Sequence, residues 1–132
     1  CCESMGTSGT GQLTKMVNQV CLAGLIQSLA EGLNFAEKAG LDSNKVVEVI
    51  SQGAAQSWQM DNRSKTMLQD EYNYGFAVDL MIKDLSIALK EATKIDSLLE
   101  IAELVNNYYK EIQLMEGGRW DTSSLLKRLQ SL

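Results

Sequence analysis

The chain has 132 residues, of which 12 are basic and 17 acidic, so its formal net charge is −5. That length is typical of one ordinary domain and is large enough to bury most of the surface that the unfolded chain would expose. A mildly acidic chain without a basic run is a poor candidate for binding nucleic acid or an anionic membrane, because both need clustered Lys or Arg.

Histidine is absent, which excludes Ser-His-Asp and Cys-His catalysis and the zinc sites that use imidazole. Cys1, Cys2 and Cys21 form no CxxC pair and no zinc spacing, so we expect no metal site and a reducing compartment. Cys21 lies inside a long helical pattern, where we expect a small buried hydrophobic residue. No run is apolar enough to span a membrane and no signal pattern is present, so we predict a cytoplasmic protein.

The first eight residues are rich in small and polar side chains and show no hydrophobic periodicity. We therefore predict that residues 1–8 are a flexible lead or a linker remnant and that residues 9–132 form a single domain. Because the chain begins just before a long helical pattern, we also expect a preceding domain to be missing from it.

A proline-free pattern from residue 13 to residue 38 predicts one helix of roughly 28 residues, about 40 Å long. Thr10 is the expected N-cap, with Gly9 and Gly11 allowing the backbone to approach a ligand. Apolar residues occupy most of the circumference, so we predict a central, packed helix. Its main apolar stripe comprises Leu13, Met16, Val17, Val20, Leu25, Leu29, Leu33 and Ala36.

The first turns of this helix carry Lys15, Asn18 and Gln19, whose i, i+3 and i+4 spacing places their polar groups on one patch. The ordinary alternative is that Lys15 only covers apolar surface with its stem while the ammonium reaches water. Two amides within one turn favour the other interpretation, in which an ammonium and amides bind a carboxylate or hydroxyl group of a small substrate.

The rest of the chain also reads as helices, and no segment alternates with period two for long enough to be a strand. The predicted fold class is therefore all-α. The further helices are expected at 45–52 (capped by Asp42 or Ser43), 61–68, 76–93, 98–115 (capped by Asp96 or Ser97) and a short last one reaching Leu132 (capped by Asp121, Thr122 or Ser123).

Three further side chains are candidates for which the residues alone favour a purely structural explanation. Lys83 is most simply a charge on a solvated helix edge or a partner of Asp79 at i−4. Trp58 and Phe76 each follow a break in the helical pattern, which more often indicates a core anchor than the wall of a ligand site.

Taken together, these motifs resemble the C-terminal domain of the β-hydroxyacid dehydrogenases, the family of 3-hydroxyisobutyrate dehydrogenase and tartronate semialdehyde reductase. The family motif G-x-G-x-x-x-K-x-x-N-[NQ] matches residues 9–19, with the commoner second Asn replaced by Gln19. Further similar stretches are 30–33, 36–41, 53–58, and 75–80 followed by 83–85. The resemblance implies an all-α helical bundle built around the long N-terminal helix, like the C-terminal domain of 6-phosphogluconate dehydrogenase.

The resemblance also implies roles for single residues. Lys15 would be the catalytic lysine, and Asn18 and Gln19 would orient the oxygen atoms of the substrate. Trp58 and Phe76 would help to wall the substrate pocket. Lys83 would lie near the cofactor.

The implied function is that of the C-terminal domain of an NAD(P)-dependent oxidoreductase acting on a short 3-hydroxy acid. The NAD or NADP would be held mainly by an N-terminal Rossmann domain that this chain lacks, so we expect the chain to be inactive alone. The family further implies a homodimer or tetramer. The alternative is a helical dimerisation module that keeps the motif without catalysis.

Overall fold

A computed structural model describes residues 9–132. The elements are α1 (Thr10–Lys38), α2 (Ser43–Ile50), α3 (Trp58–Leu68), α4 (Val78–Lys94), α5 (Glu100–Leu114), a 3-10 turn (Thr122–Ser124) and α6 (Leu125–Gln130). Within the described range, strand-like pairing is limited to one isolated bridge between Ala77 and Asp121. The all-α prediction is therefore confirmed.

Helix α1 is the element on which the others assemble. Its 29 residues span about 43 Å at 1.5 Å per residue. It contacts α4, α5 and α6 extensively and also packs on α2 and α3, which confirms the predicted central helix. The remaining strong contact is between α4 and α5, so α1, α4, α5 and α6 enclose most of the core.

The core is fully closed along the facing sides of α4, α5 and α6. Leu85, Val105, Ile112 and Leu125 expose none of their surface. Tyr109 is equally buried, and its hydroxyl donates a hydrogen bond to the Thr122 carbonyl oxygen at 3.2 Å. Burial, with a smaller contribution from the nearby Asp121 charge, raises the pKa of Tyr109 well above its ordinary value.

Two predicted N-caps are wrong, and in both cases the backbone supplies the reason. Helix α1 already includes Thr10, and its N-cap is Gly9, which adopts the left-handed conformation (φ 92°). Asp96 and Ser97 do not cap α5, because they complete the end of α4. Asp96 has φ 54°, and the Ser97 amide donates to the Ala92 carbonyl at 2.9 Å, as in a Schellman motif.

Other helix ends agree with the sequence more closely. The Asp42 carboxylate accepts a hydrogen bond from the Lys45 amide at 3.3 Å, which confirms one of the two expected caps of α2. Asp121 caps the final 3-10 turn. Helix α3 begins at Trp58 rather than Asp61, because the Ser57 hydroxyl accepts from the Met60 amide at 3.0 Å and so acts as an N-cap.

The prediction that Cys21 is buried is wrong, because its side chain is exposed. The buried positions of this part of α1 are Gln19 and Ala23, and Cys21 falls between them on the other side of the helix. None of the helices in the described range combines the length and hydropathy that a membrane span requires.

Candidate functional site

A cleft of about 230 Å³ lies between the first turns of α1 and the middle of α4. Its walls combine the apolar side chains of Met16 and Ile87 with polar groups that converge from both helices. The lining residues are Gln12, Lys15, Met16, Gln19, Asp84 and Ile87. A concave site with a few convergent polar groups on apolar walls is the usual form of a small-molecule site.

Lys15 is the cation of this cleft. Its side chain is exposed, and its ammonium makes no hydrogen bond or ion pair with any other residue of the range 9–132. Three donor hydrogens are therefore available to a ligand. The two amides predicted to converge with Lys15 are on the same turns, although only Gln19 lines the cleft with it.

Gln19 is the buried member of the patch, with 6% of its surface exposed. Its Nε2 donates to the Asp84 carboxylate at 3.0 Å and to the Met81 sulfur at 3.6 Å. Its Oε1 accepts a hydrogen bond from Nδ2 of the exposed Asn18 at 2.9 Å. The two amides therefore form a continuous hydrogen-bonded chain with Asp84.

Asp84 lines the cleft but was not predicted from the sequence, where its neighbour Lys83 was the candidate residue. Lys83 is exposed and does not line the cleft, whereas the neighbouring Asp84 does. Lys83 also makes no ion pair with Asp79 in the described part of the chain; Asp79 accepts from Gln113 at 2.7 Å. A signal was present, since Asp84 lies three positions after the buried Met81 on the core-facing side of α4.

Trp58 and Phe76 do not line the Lys15 cleft. Trp58 exposes 59% of its surface and Phe76 38%, and the two are linked to each other through Arg63 and Asp121. The Arg63 guanidinium lies 5.1 Å from the centre of the Trp58 ring and donates to the Asp121 carboxylate at 3.2 Å. The other oxygen of Asp121 accepts from the Phe76 amide at 2.9 Å. Neither residue is the core anchor that the structural alternative expected.

A metal ion in a protein is held by several His, Cys, Asp or Glu side chains that lie close together. The described residues hold no group of three or more that could bind a metal ion. The polar groups of the cleft are instead one amine, one carboxylate and amides, which suit hydrogen bonding to an oxygen-rich organic ligand.

Comparison with known proteins places the chain in a family. The family described as the NAD-binding domain of NADP-dependent 3-hydroxyisobutyrate dehydrogenase matches residues 9–129. The chain belongs to this family. The resemblance inferred from the motifs around Lys15 and Lys83 is thus confirmed at the level of the family.

Relatives of the chain bear names from the same chemistry. It is 63% identical to an uncharacterized oxidoreductase of Shewanella frigidimarina over 98% of this chain and 45% of that protein. It is 38% identical to a probable mitochondrial 3-hydroxyisobutyrate dehydrogenase-like protein of Arabidopsis thaliana, over 97% of this chain and 38% of that protein. The chain therefore spans less than half the length of these relatives.

A solved structure supports the fold. The crystal structure of a 3-hydroxyisobutyrate dehydrogenase from Salmonella typhimurium is 29% identical and superposes with a TM-score of 0.83. The match covers 92% of this chain and 42% of that chain. The helical arrangement around α1 is accordingly that of the family.

The cofactor of this family is NAD(P), and the Lys15 cleft is large enough for only a small part of it. The cleft, at about 230 Å³, is smaller than the roughly 300–1,000 Å³ of pockets that enclose a drug-sized ligand. Residues 9–132 also form no strand that could lead into a phosphate-binding loop and helix. This cleft therefore has room for a small substrate or a nicotinamide ring rather than for the whole dinucleotide.

Proposed function

We propose that this chain is the C-terminal helical domain of an NAD(P)-dependent oxidoreductase that acts on a short 3-hydroxy acid. The observation that carries the proposal is the Lys15 ammonium, which lines a small cleft and has no partner elsewhere in residues 9–132. An ammonium that forms no ion pair with another described residue, placed beside amide groups, suits a ligand that brings its own hydroxyl, carbonyl or carboxylate oxygen. The family and the names of its members support the same class of substrate.

Lys15 is the catalytic residue of this proposal. In the direction of reduction its ammonium donates a proton to the carbonyl oxygen of the substrate as the hydride arrives at the carbon, and in the direction of oxidation the neutral amine accepts the proton of the hydroxyl as the hydride leaves. Nicotinamide, when bound, supplies or accepts the hydride. Asn18 orients the oxygen atoms of the substrate beside Lys15, and Gln19 supports Asn18 through the hydrogen bond between their amides. Met16 and Ile87 supply apolar walls of the cleft beside it.

The remaining implied roles depend on surfaces outside this chain. We assign the dinucleotide mainly to an N-terminal Rossmann domain and expect residues 9–132 to be inactive alone. Lys83 is exposed next to Asp84, so it is available to the phosphate or ribose groups of a cofactor held from outside. Trp58 and Phe76 would contact a substrate only across an interface with another domain or another copy, because they do not line the Lys15 cleft.

An apolar groove of about 410 Å³ favours self-association as an additional role. It runs between α1 and the end of α4, where Val17 and Ile95 expose 62% and 64% of their surface. Apolar surface of this kind commonly marks a protein interface, so we expect a homodimer or tetramer. A dimerisation module without catalysis is the alternative function. The exposed Cys21 thiol in this groove fits a cytoplasmic, reducing environment.

The deciding experiment replaces Lys15 by Ala in the protein that carries both domains. We expect the rate of NAD(P)-dependent oxidation of short 3-hydroxy acids to fall by roughly 10²–10⁴-fold, the usual contribution of a general acid-base group. Thermal stability should be unchanged, because the Lys15 side chain is exposed.

Lys38→Ala is the matched control, since Lys38 is an exposed lysine in the last turn of the same helix. The control should retain the wild-type rate. A Lys15→Ala variant that oxidises 3-hydroxy acids at the wild-type rate would contradict the catalytic role and leave the dimerisation module as the better explanation.

A further inference from the structure

The amide of Gln19 is almost fully engaged within the protein, although the residue was expected to contact the substrate. Both of its donor hydrogens have acceptors, in the Asp84 carboxylate and the Met81 sulfur. Its oxygen accepts from Asn18, and only 6% of the residue remains exposed. At most one lone pair of the oxygen is left for a ligand, so Gln19 is poorly suited to bind substrate directly.

The hydrogen-bonded chain has one possible direction. An ionised carboxylate only accepts hydrogen bonds, so Asp84 requires the NH₂ group of Gln19 to face it. The Gln19 oxygen must then point towards Asn18, whose NH₂ group donates a hydrogen bond to it at 2.9 Å. The Oδ1 atom of Asn18 is thereby left out of the bond with Gln19, and Asn18 itself is exposed.

We propose that Gln19 is a positioning residue, which transmits the orientation imposed by Asp84 to the amide of Asn18 so that Asn18 presents its oxygen to the substrate. This inference rests on the proposed function. It assigns the exposed Asn18 oxygen as the acceptor for a substrate hydroxyl, while the Lys15 ammonium beside the cleft donates. A free amide would present its oxygen or its NH₂ group with similar ease, and the fixed orientation removes that ambiguity before substrate binds.

The longer arm of Gln19 is what makes the connection possible in this chain. An asparagine at this position would place its amide one methylene closer to α1, and Asp84 lies on the neighbouring helix at 3.0 Å from the present Nε2 atom. The glutamine therefore spans the gap between α1 and α4 while still reaching the adjacent Asn18. Supporting hydrogen bonds of this kind typically change activity by about 10–100-fold when they are lost.

The test uses the protein with both domains and measures kcat and KM for substrate and for NAD(P) separately. Asp84→Asn keeps the size of the side chain but lets the Gln19 amide turn over, and Gln19→Met removes the connection with an apolar side chain of similar length. We expect each variant to lower kcat by about 10–100-fold. The KM for NAD(P) should stay at the wild-type value, whereas a disturbed fold would raise it.

A double-mutant cycle separates positioning from direct contact. If Gln19 acts through Asn18, Gln19→Met should cause no further loss in an Asn18→Ala background. Losses that multiply in the double variant would overturn the inference and assign Gln19 a substrate contact of its own. Asp79→Asn is the matched control, because Asp79 is an α4 carboxylate that also accepts from a glutamine but lies outside the cleft.

The failure of this inference can be told apart from the failure of the proposed function. If Lys15→Ala leaves the rate unchanged, the proposed function fails. If Lys15→Ala abolishes the rate while Asp84→Asn and Gln19→Met retain wild-type kcat, only the positioning role fails. Asp84 is partly exposed, so its variant provides a result even if Gln19→Met does not fold.

Discussion

Replacing Asp121 by Ala should be among the most destabilising changes in the chain. The Asp121 side chain exposes 1% of its surface, and its two oxygens accept hydrogen bonds from four donors. These are Arg63 Nε at 3.2 Å, the Phe76 amide at 2.9 Å, the Ser123 amide at 3.0 Å and the Ser123 hydroxyl. Asp121 thus ties the segment before α4 and the final 3-10 turn to α3. Gly75 allows this close approach, since a Cβ atom there would collide with the carboxylate.

The magnitude follows from what the substitution leaves behind. Removing one partner of a buried charge pair costs about 3–5 kcal/mol, chiefly because the remaining groups lose their hydrogen bonds in a poorly hydrated place. Arg63 and Phe76 are partly exposed and can turn to water, whereas the Ser123 amide is buried. We therefore expect a loss of about 4 kcal/mol in the free energy of unfolding for Asp121→Ala. At about 4 °C per kcal/mol, the melting temperature should fall by roughly 15 °C.

The assay is urea unfolding followed by far-ultraviolet circular dichroism, with Glu111→Ala as the control. Glu111 also pairs with an arginine, Arg128, at 3.2 Å, but it is half exposed, so its loss should change stability by less than about 1 kcal/mol. Asp121→Asn retains one acceptor oxygen and should fall between the two. If Asp121→Ala is no more destabilising than Glu111→Ala, the argument from burial and shared donors is refuted.

Two smaller predictions concern single hydrogen bonds. Burial raises the pKa of Tyr109, so the native state keeps the hydroxyl proton at a pH where the unfolded state loses it. The contribution of Tyr109 to the free energy of unfolding is therefore complete below about pH 10 and decreases above it by about 1.4 kcal/mol per pH unit. Tyr109→Phe removes the hydrogen bond to Thr122, so its free energy of unfolding at neutral pH should be about 1 kcal/mol lower. Above about pH 10 its free energy of unfolding should fall less steeply with pH than that of the wild type. Urea unfolding measures both, and an unchanged alkaline slope would contradict this. Ser57→Ala should cost about 1 kcal/mol because the Met60 amide loses its cap, whereas Ser57→Thr should retain most of the stability; equal midpoints for both in urea unfolding would exclude the cap.

Much of the fold could be predicted because its signals are local. The long α1, the helices after it and the cap at Asp42 follow from apolar spacing and from a carboxylate placed just before a helical pattern. The N-caps predicted at Thr10 and at Asp96 or Ser97 are wrong, because the actual ends of α1 and α4 depend on residues with positive φ. Gly9 enters α1 in that conformation, and Asp96 ends α4 in it.

The candidate site divides in the same way. The sequence alone predicts that Lys15, Asn18 and Gln19 share one side of α1, because helical spacing requires it. It also determined the family, through ordered motifs along the chain. It gave no indication that Gln19 would be buried against Asp84, since the two residues are 65 positions apart.

The groups that meet in the cleft are selected by the packing of the helices. Packing α4 against α1 brings Asp84, rather than Lys83, into the cleft lined by Lys15. Trp58 and Phe76 lie outside the cleft, Trp58 against Arg63 and Phe76 beside Asp121. The physical reason is that periodicity specifies which face of a helix is buried but not which residue of another helix lies opposite it. That choice depends on the rotation and crossing of helices distant in sequence.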